Sequence, residues 1–233
     1  RLQNCFEVVM CNDNGEQKII YTETSPRYAE RPNSSTITFI DGERFIVKEE
    51  TTTGWMHLYL HSTAKGRLNT ITSGRWEVVS LVGHNGKNIY YTSTERSPLN
   101  RDLYAVRLNG KSRQLLTPEG GYNTIAPSAG MKYYIRTFSN SQTPNIITVN
   151  RADGTTIDTL ADRRKAVAAA GRLAKKEFRQ FITERGDTLN YYLQLPHNYD
   201  PANLYPVLLT QYSGPGSQSV ANRWGADWED VLS

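Results

Sequence analysis

Short runs of hydrophobic and aromatic residues, separated by polar residues, fill positions 1–160 of this chain. Within each run, β-branched and aromatic side chains alternate or cluster, and this half of the chain shows no helical periodicity. The pattern predicts eight strands, at 6–10, 18–22, 35–40, 44–49, 57–61, 77–82, 88–92 and 103–108. Residues 1–160 are therefore predicted to be all-β.

Asn-Gly and Asp-Gly pairs punctuate these runs. Such pairs are typical of tight hairpins, because type I′ turns require positive φ angles that Asn, Asp and Gly tolerate. Hairpin turns are therefore predicted at five places: Asn14-Gly15, Asp41-Gly42, Asn85-Gly86, Asn109-Gly110 and Asp153-Gly154.

The β-rich half also repeats itself. Segments of the chain recur after 44 to 46 residues. HLYL at 57–60 matches DLYA at 102–105 and Thr72 matches Thr117, both at an offset of 45. Trp76 matches Tyr122 at an offset of 46, and 86–91 matches 130–135 at an offset of 44. A weaker third copy runs from 145–147 to 159–160. A four-stranded unit of 40–50 residues is typical of a β-propeller blade. Residues 1–160 are predicted to hold three to four blades.

The pattern changes after residue 160. Asp162 can cap a helix, and residues 163–173 are rich in Arg, Lys and Ala, so 161–177 is predicted to be a basic helical connector. Residues 178–233 return to strands and then to a helix. Strands are predicted at 178–183, 189–195 and 207–212, a surface loop at 196–204, and a helix at 220–232 with Trp224 and Trp228 on one face.

The third of these strands carries the candidate chemistry. The apolar run at 207–209 follows Pro206 and predicts a fully buried strand that ends at Tyr212. Ligands of open α/β sheets bind beyond the carboxyl ends of strands. A phenol there can donate a hydrogen bond to a developing oxyanion during acyl transfer. The alternative is a buried tyrosine that merely closes a strand.

The stretch LNYYLQLPHNYDPANLYPVLLTQYSGPGSQ, at 189–218, resembles the start of the peptidase domain in the prolyl oligopeptidase family, closest to its dipeptidyl peptidase IV branch. The similarity continues through Trp224, Trp228 and Leu232. It extends backwards through ITSGRWEV at 71–78 to RLQN at 1–4. It therefore covers most of the chain.

The resemblance implies a mainly β fold: a partial β-propeller followed by the first strands of an α/β-hydrolase domain. Residues 1–160 would be the C-terminal part of an eight-bladed propeller, 161–177 the connector, and 178–233 the start of the peptidase domain. Tyr212 matches an oxyanion-hole residue, supported by the turn at Ser213, Gly214 and Pro215. Tyr28 and Arg31 are weaker candidates for substrate binding, as residues facing the central cavity.

The catalytic triad that such an enzyme needs is predicted to lie outside this chain. No serine here has glycine at both −2 and +2, so the G-x-S-x-G elbow is missing. Glu49-Glu50 sits at a strand end and does not match the acidic pair that grips substrate amino termini in this branch. The chain is therefore expected to be a fragment that is inactive alone.

Charge and cysteine content narrow the possible partners. The formal net charge is +4, yet residues 163–185 alone contribute +6 from eight Lys/Arg and two Glu, so no nucleic-acid footprint is predicted. Cys5 and Cys11 are predicted to be free, because one strand would hold them about 20 Å apart. No cofactor, no metal site and no membrane segment is predicted.

The resemblance implies a serine exopeptidase that releases Xaa-Pro or Xaa-Ala dipeptides from peptide N-termini. It implies a periplasmic or extracellular-facing protein, with the intact enzyme as a possible homodimer. Two alternatives remain open. One is another member of the family, an acylaminoacyl peptidase or oligopeptidase. The other is a catalytically dead β-propeller that serves as an interaction module.

Overall fold

The described part of the chain folds almost entirely into antiparallel strands. The computed structural model describes residues 3–30, 32–33, 35–170, 175–196, 198–212 and 217–225. Its strands are β1 (Cys5–Cys11), β2 (Gln17–Thr24), β3 (Ile37–Phe39), β4 (Arg44–Glu49), β5 (His57–Ser62), β6 (Gly66–Thr70), β7 (Val78–His84), β8 (Asn88–Ser93), β9 (Asp102–Arg107), β10 (Gln114–Leu115), β11 (Tyr122–Pro127), β12 (Tyr133–Asn140), β13 (Thr143–Arg151), β14 (Thr156–Asp162), β15 (Lys176–Ile182) and β16 (Thr188–Gln194). A 3-10 turn lies at Ala129–Met131 and one helix, α1, at Arg164–Ala170.

Three four-stranded sheets follow one another along the chain: β3 to β6, β7 to β10 and β11 to β14. Within each sheet the strands are antiparallel and neighbours in space are neighbours in sequence. Two hairpins, β1–β2 and β15–β16, flank the three sheets. The predicted partial β-propeller is confirmed. The three sheets are complete blades, and the β1–β2 hairpin, which packs against the first of them, is a two-stranded part of another.

A repeated hydrogen bond explains the sequence repeat. In the first blade the Leu58 amide donates to the Thr72 hydroxyl at 2.9 Å, and in the second the Leu103 amide donates to the Thr117 hydroxyl at 2.9 Å. Both threonines are buried. Each hydroxyl satisfies an amide that lies inside the protein, where an unpaired donor is costly. The Thr72–Thr117 match is therefore a structural repeat.

Replacing either threonine tests this account. We expect Thr117→Val to lower the free energy of unfolding by about 1–3 kcal/mol, because the Leu103 amide loses its partner inside the protein. Thr188→Val, at an exposed position of β16, is the matched control and should change little. Urea denaturation of the two variants measures the difference. Equal stabilities would show that the hydroxyl does not hold the blade together.

Hydrophobic clusters between successive sheets form the core. One cluster joins the first and second blades through Ile46, Leu58, Ile89, Tyr91 and other buried side chains. A second joins the second and third blades through Tyr90, Leu103 and Tyr134. Because neighbouring residues of a strand face opposite sides, Tyr90 and Tyr91 enter different clusters. Strands buried on both faces explain the nearly continuous apolar runs of the sequence.

The predicted Asn-Gly and Asp-Gly turns all join consecutive strands, but their predicted type is wrong. The glycine has a positive φ in four of the five pairs, and Gly42 is the exception. The preceding Asn or Asp never does, whereas a type I′ turn requires both. In the β9–β10 hairpin, the Gly110 amide donates to the Arg107 carbonyl and the Arg107 amide to the Lys111 carbonyl. This is a type I turn closed by a glycine bulge.

Two of these glycines also let adjacent blades approach closely. A Cβ added to Gly110 would lie 3.0 Å from the Thr70 carbonyl oxygen in the first blade. A Cβ on Gly154 would lie 3.1 Å from the Leu116 carbonyl oxygen in the second. Each hairpin tip therefore packs against the backbone of the preceding blade, at positions 44 residues apart.

Among the described residues of the predicted connector, a helix spans Arg164–Ala170. Strand β14 continues to Asp162 and β15 begins at Lys176, so sheet pairing takes both ends of the predicted segment. The Asp162 carboxylate accepts the Arg164 amide at 3.0 Å, as its capping role predicts. The Arg164 side chain also binds this carboxylate and lowers the Asp162 pKa to about 2.

Two predictions for the last third of the chain are wrong. Residues 207–212 form no strand, and Val207 is 89% exposed rather than buried. A strand must pair within a sheet, and the sheets formed by the described residues do not include this segment. Residues 220–225 contain no helical turn, because the Asn222 amide donates to the Leu99 carbonyl of the propeller instead. The rest of the predicted helix, with Trp228 and Leu232, lies outside the described residues.

Candidate functional site

Tyr212 ends a described segment that forms neither helix nor strand, and the residue is 69% exposed. The apolar residues that precede it are exposed as well: Val207, Leu208 and Leu209. An exposed phenol at the end of such a segment can reach a ligand, and its hydroxyl can donate one hydrogen bond. The supporting residues Ser213, Gly214 and Pro215 lie outside the described residues.

The segment that follows, 217–225, lies against loops of the propeller. The Gln218 side chain accepts a hydrogen bond from Arg101 Nη2 at 2.7 Å. Its amide nitrogen donates to the Pro98 carbonyl at 2.6 Å and to the Val220 carbonyl at 2.9 Å. Both polar atoms of the Gln218 side chain therefore form hydrogen bonds. The bonds to Arg101 and Pro98 join residues that are 117 and 120 positions apart in the sequence.

Asn222 and Trp224 extend this contact across two blades. The Asn222 amide donates to the Leu99 carbonyl at 2.9 Å, and its side-chain oxygen accepts the Ser141 amide at 3.0 Å. The Trp224 amide donates to the Ser139 hydroxyl at 3.2 Å. The segment thus binds the loop before β9 and the turn between β12 and β13 together.

Arg101 is the charged centre of this contact. Its Nη1 donates to the carbonyls of Pro98 and Asn100 at 3.0 and 2.7 Å. Its guanidinium lies over the Tyr122 ring, 5.5 Å from the ring centre. Its backbone bridges to Tyr122, which fixes it between the second and third blades. Burial lowers the Arg101 pKa.

Tyr28 lines a separate cleft, of about 540 Å³, between the β1–β2 hairpin and the first blade. Its ring is 57% exposed, and its hydroxyl accepts a hydrogen bond from Gln3 Nε2 at 3.0 Å. The cleft lining runs from Phe6 to Met56 and does not include Tyr212. The structure therefore does not bring these two predicted site residues into one pocket. Arg31 lies outside the described residues.

Carboxylates dominate this cleft. Glu23, Glu30, Glu49 and Glu50 line it, together with Lys48 and Arg27. Burial and the neighbouring carboxylates raise the Glu50 pKa, and burial lowers the Lys48 pKa. Glu49 accepts hydrogen bonds from Tyr21 and Thr52, so each of its carboxylate oxygens already has a donor within the protein. As the sequence predicts, Glu49 ends a strand and Glu50 begins a turn.

Two histidines of the first blade have structural roles. His57 Nε2 lies 3.0 Å from the Gly74 carbonyl, and His57 Nδ1 lies 3.1 Å from the Thr72 hydroxyl. A carbonyl only accepts, so His57 donates from Nε2 to Gly74, and its Nδ1 shares a hydrogen bond with the Thr72 hydroxyl. His61 packs against Tyr21 and Phe45. Within the described ranges, no three His, Cys, Asp or Glu side chains are grouped to hold a metal ion.

The two cysteines are free and exposed at the ends of β1, as predicted. Of the helices among the described residues, none is long and apolar enough to cross a membrane.

Sequence reasoning missed Arg101, Gln218 and Asn222. Arg101 directly precedes the repeat anchor at Asp102, which marks its place in the blade but not its role. Gln218 belongs to no motif that indicates its partner. No local pattern could have paired residues so far apart.

The three blades and the segment anchored on them define this chain as part of a propeller protein in which a further segment packs on the propeller. A family model described as the dipeptidyl peptidase IV N-terminal region matches residues 1–145. The chain belongs to this family. It resembles the crystal structure of Porphyromonas gingivalis dipeptidyl peptidase 4, with a TM-score of 0.91 and 33% identity, over 99% of this chain and 33% of that one.

Curated fungal proteins with the name dipeptidyl peptidase 4 are also similar to this chain. The chain is 32% identical over 201 residues to the probable dipeptidyl peptidase 4 of Arthroderma benhamiae, which covers 80% of this chain and 25% of that protein. It is 33% identical over 179 residues to the probable dipeptidyl peptidase 4 of Emericella nidulans, covering 73% and 23%. The chain thus spans about a quarter of the length of the curated relatives it matches.

Proposed function

We propose that this chain is part of a serine exopeptidase that releases Xaa-Pro and Xaa-Ala dipeptides from peptide N-termini. The single observation that carries this proposal is the likeness of nearly the whole chain to a dipeptidyl peptidase 4 structure, at a TM-score of 0.91. That likeness includes the segment with Tyr212. Residues 1–160 then belong to the propeller, 161–177 to the connector and 178–233 to the start of the peptidase domain.

In this proposal Tyr212 donates its hydroxyl hydrogen bond to the oxyanion of the tetrahedral intermediate. A tyrosine hydroxyl suits the role, because it can donate one hydrogen bond at neutral pH without carrying a charge. The donor acts as negative charge develops on the scissile carbonyl oxygen, which lowers the barrier to acyl transfer. The propeller, beside it, limits which peptides reach the site by size.

The exposed apolar residues around Tyr212 support the peptidase-domain assignment. Val207 and Leu209 are 89% and 84% exposed, in a run too apolar for a solvated loop. Large exposed apolar patches mark surfaces that other protein covers. Residues of an α/β-hydrolase sheet would provide that cover.

Tyr28 is the candidate substrate contact of the propeller. It lines the open cleft described above, and its ring presents an apolar face with a polar tip. The role of Arg31 stays a prediction. The homodimer implied by the resemblance also stays a prediction, which analytical ultracentrifugation of the whole enzyme would test.

Hydrolysis of Gly-Pro-p-nitroanilide tests the proposed function. We expect the whole protein that carries this chain to release p-nitroaniline and to be inactivated by a serine-directed organophosphate. The 233-residue chain alone should not do so, because its sequence holds no G-x-S-x-G elbow.

Two results would contradict the proposal. An inactive whole protein would favour the propeller interaction module. Turnover by the chain alone, abolished by the organophosphate, would place a nucleophile within it.

A further inference from the structure

Charged side chains link the propeller to the segment that follows Tyr212: Arg101 binds Gln218, and the Arg223 guanidinium lies over the Tyr122 ring, 5.9 Å from its centre. Arg101 Nη2 donates to Gln218 Oε1 at 2.7 Å, and Gln218 lies six positions after Tyr212. Six residues span at most about 20 Å, so Tyr212 is on a short tether to this contact. We propose that Arg101 is a positioning residue, which holds Gln218 and thereby fixes where Tyr212 presents its hydroxyl.

Arg101 is suited to this role because its own position is fixed. Its Nη1 donates to two carbonyls of its own loop, and its amide donates to the Gly121 carbonyl of the next blade. The Asn123 side chain donates to the Arg101 carbonyl at 2.7 Å. A guanidinium held on several sides loses little freedom when it binds one more acceptor.

Gln218 is equally constrained. Its amide nitrogen donates to the Pro98 carbonyl, which also accepts from Arg101 Nη1. Arginine, glutamine and the Pro98 carbonyl thus form a closed set of hydrogen bonds. Removing the guanidinium leaves Gln218 Oε1 without its donor and the propeller with one tie fewer to the segment.

The contact has a catalytic consequence only because Tyr212 acts as an oxyanion donor, so the inference rests on the proposed function. Oxyanion donors work over a narrow range of distance, and a misplacement of about 1 Å can cost about 100-fold in rate. Loosening the anchor should therefore lower kcat while KM changes little, as for an interaction made mainly in the transition state.

The test compares Arg101→Met with Arg107→Met in the whole enzyme. Both arginines lie in or beside β9, but Arg107 is exposed and makes no described contact with 217–225. Active sites are counted by titration with an organophosphate, so that unfolded protein does not count as slow enzyme. We expect Arg101→Met to lower kcat about 10- to 100-fold with KM within about threefold, and Arg107→Met to leave both unchanged.

A double-mutant cycle separates positioning from a general effect. If Arg101 acts through Tyr212, then Arg101→Met should cost much less in the Tyr212→Phe background than in the wild type. Hydrogen exchange at the Asn222 and Trp224 amides gives a readout that does not depend on activity. We expect both amides to exchange faster in Arg101→Met and at the wild-type rate in Arg107→Met.

These measurements distinguish a failure of the proposed peptidase function from a failure of the positioning role of Arg101. An inactive wild type overturns the proposed function, and the positioning role with it. An active wild type in which Arg101→Met keeps its kcat, or loses as much kcat in the Tyr212→Phe background, overturns only the positioning role. Unchanged exchange in 217–225 would also overturn it, because the anchor would then not depend on Arg101.

Discussion

Tyr212→Phe should lower kcat of the whole peptidase by about 10²–10³-fold and leave KM nearly unchanged. The substitution keeps the ring and removes only the hydroxyl. In the proposed mechanism this hydroxyl donates to the oxyanion as charge develops, so its loss raises the barrier by roughly 3–4 kcal/mol. Steady-state kinetics with a Gly-Pro chromogenic substrate measure the change.

A matched variant controls for the loss of a tyrosine hydroxyl. Tyr133 lies on the third blade with its ring 39% exposed, and Tyr133→Phe should leave kcat and melting temperature unchanged. A folded Tyr212→Phe enzyme with kcat within about threefold of wild type would exclude Tyr212 from the catalytic machinery, since that is less than 1 kcal/mol of barrier.

The largest expected effect on stability is at Arg96. Asp102 has no exposed surface, and Arg96 binds both of its carboxylate oxygens at 2.8 Å. The same guanidinium donates to the Pro118 carbonyl at 2.8 Å and the Thr117 carbonyl at 3.2 Å. The hydrogen bonds to Asp102 raise the Arg96 pKa. This pair holds the start of β9 to the loop that leads into the third blade.

Arg96→Met should lower the free energy of unfolding by about 3–5 kcal/mol, because it leaves a buried carboxylate without a counter-charge. For a unit of this size that is a fall in Tm of roughly 6–20 °C. Replacing Asp102 by Leu in the same protein should recover much of the loss, since a buried pair can often be exchanged for apolar residues.

The exposed pair of Arg44 and Asp41 is the control for this experiment. Both side chains are 42% exposed, so Arg44→Met should change stability by no more than about 1 kcal/mol. Differential scanning calorimetry of the three variants measures the effects. Equal Tm values for Arg96→Met and Arg44→Met would show that burial of Asp102 does not matter to the blade.

The central strands of the first two blades could be predicted from the sequence because burial on both faces leaves a strong local record, whereas the third blade was indicated only by the repeat. Strand β4 has the predicted limits, Arg44–Glu49, and its apolar residues enter two different clusters. The short strands β6 and β10 were not predicted, because GRLNT and QL carry no run of apolar residues. Their pairing comes from the neighbouring strand and not from their own composition.

The candidate site could be predicted only in part. Tyr212 was identified from a resemblance, and the local pattern around it gave the wrong structure. An apolar run such as 207–209 predicts a buried strand, yet burial depends on neighbours that local sequence does not specify. The contact of Arg101 with Gln218 depends on how the last segment packs on the propeller, which no period or motif encodes.

A crystal structure of the whole enzyme with a Gly-boroproline inhibitor tests the central claim most directly. The boronate would form a tetrahedral adduct with the serine nucleophile and place an oxygen where the oxyanion develops. We predict that the Tyr212 hydroxyl lies about 2.7–3.1 Å from that oxygen. An adduct whose oxyanion oxygen is held by other donors, with the Tyr212 hydroxyl beyond hydrogen-bond distance, would contradict the account.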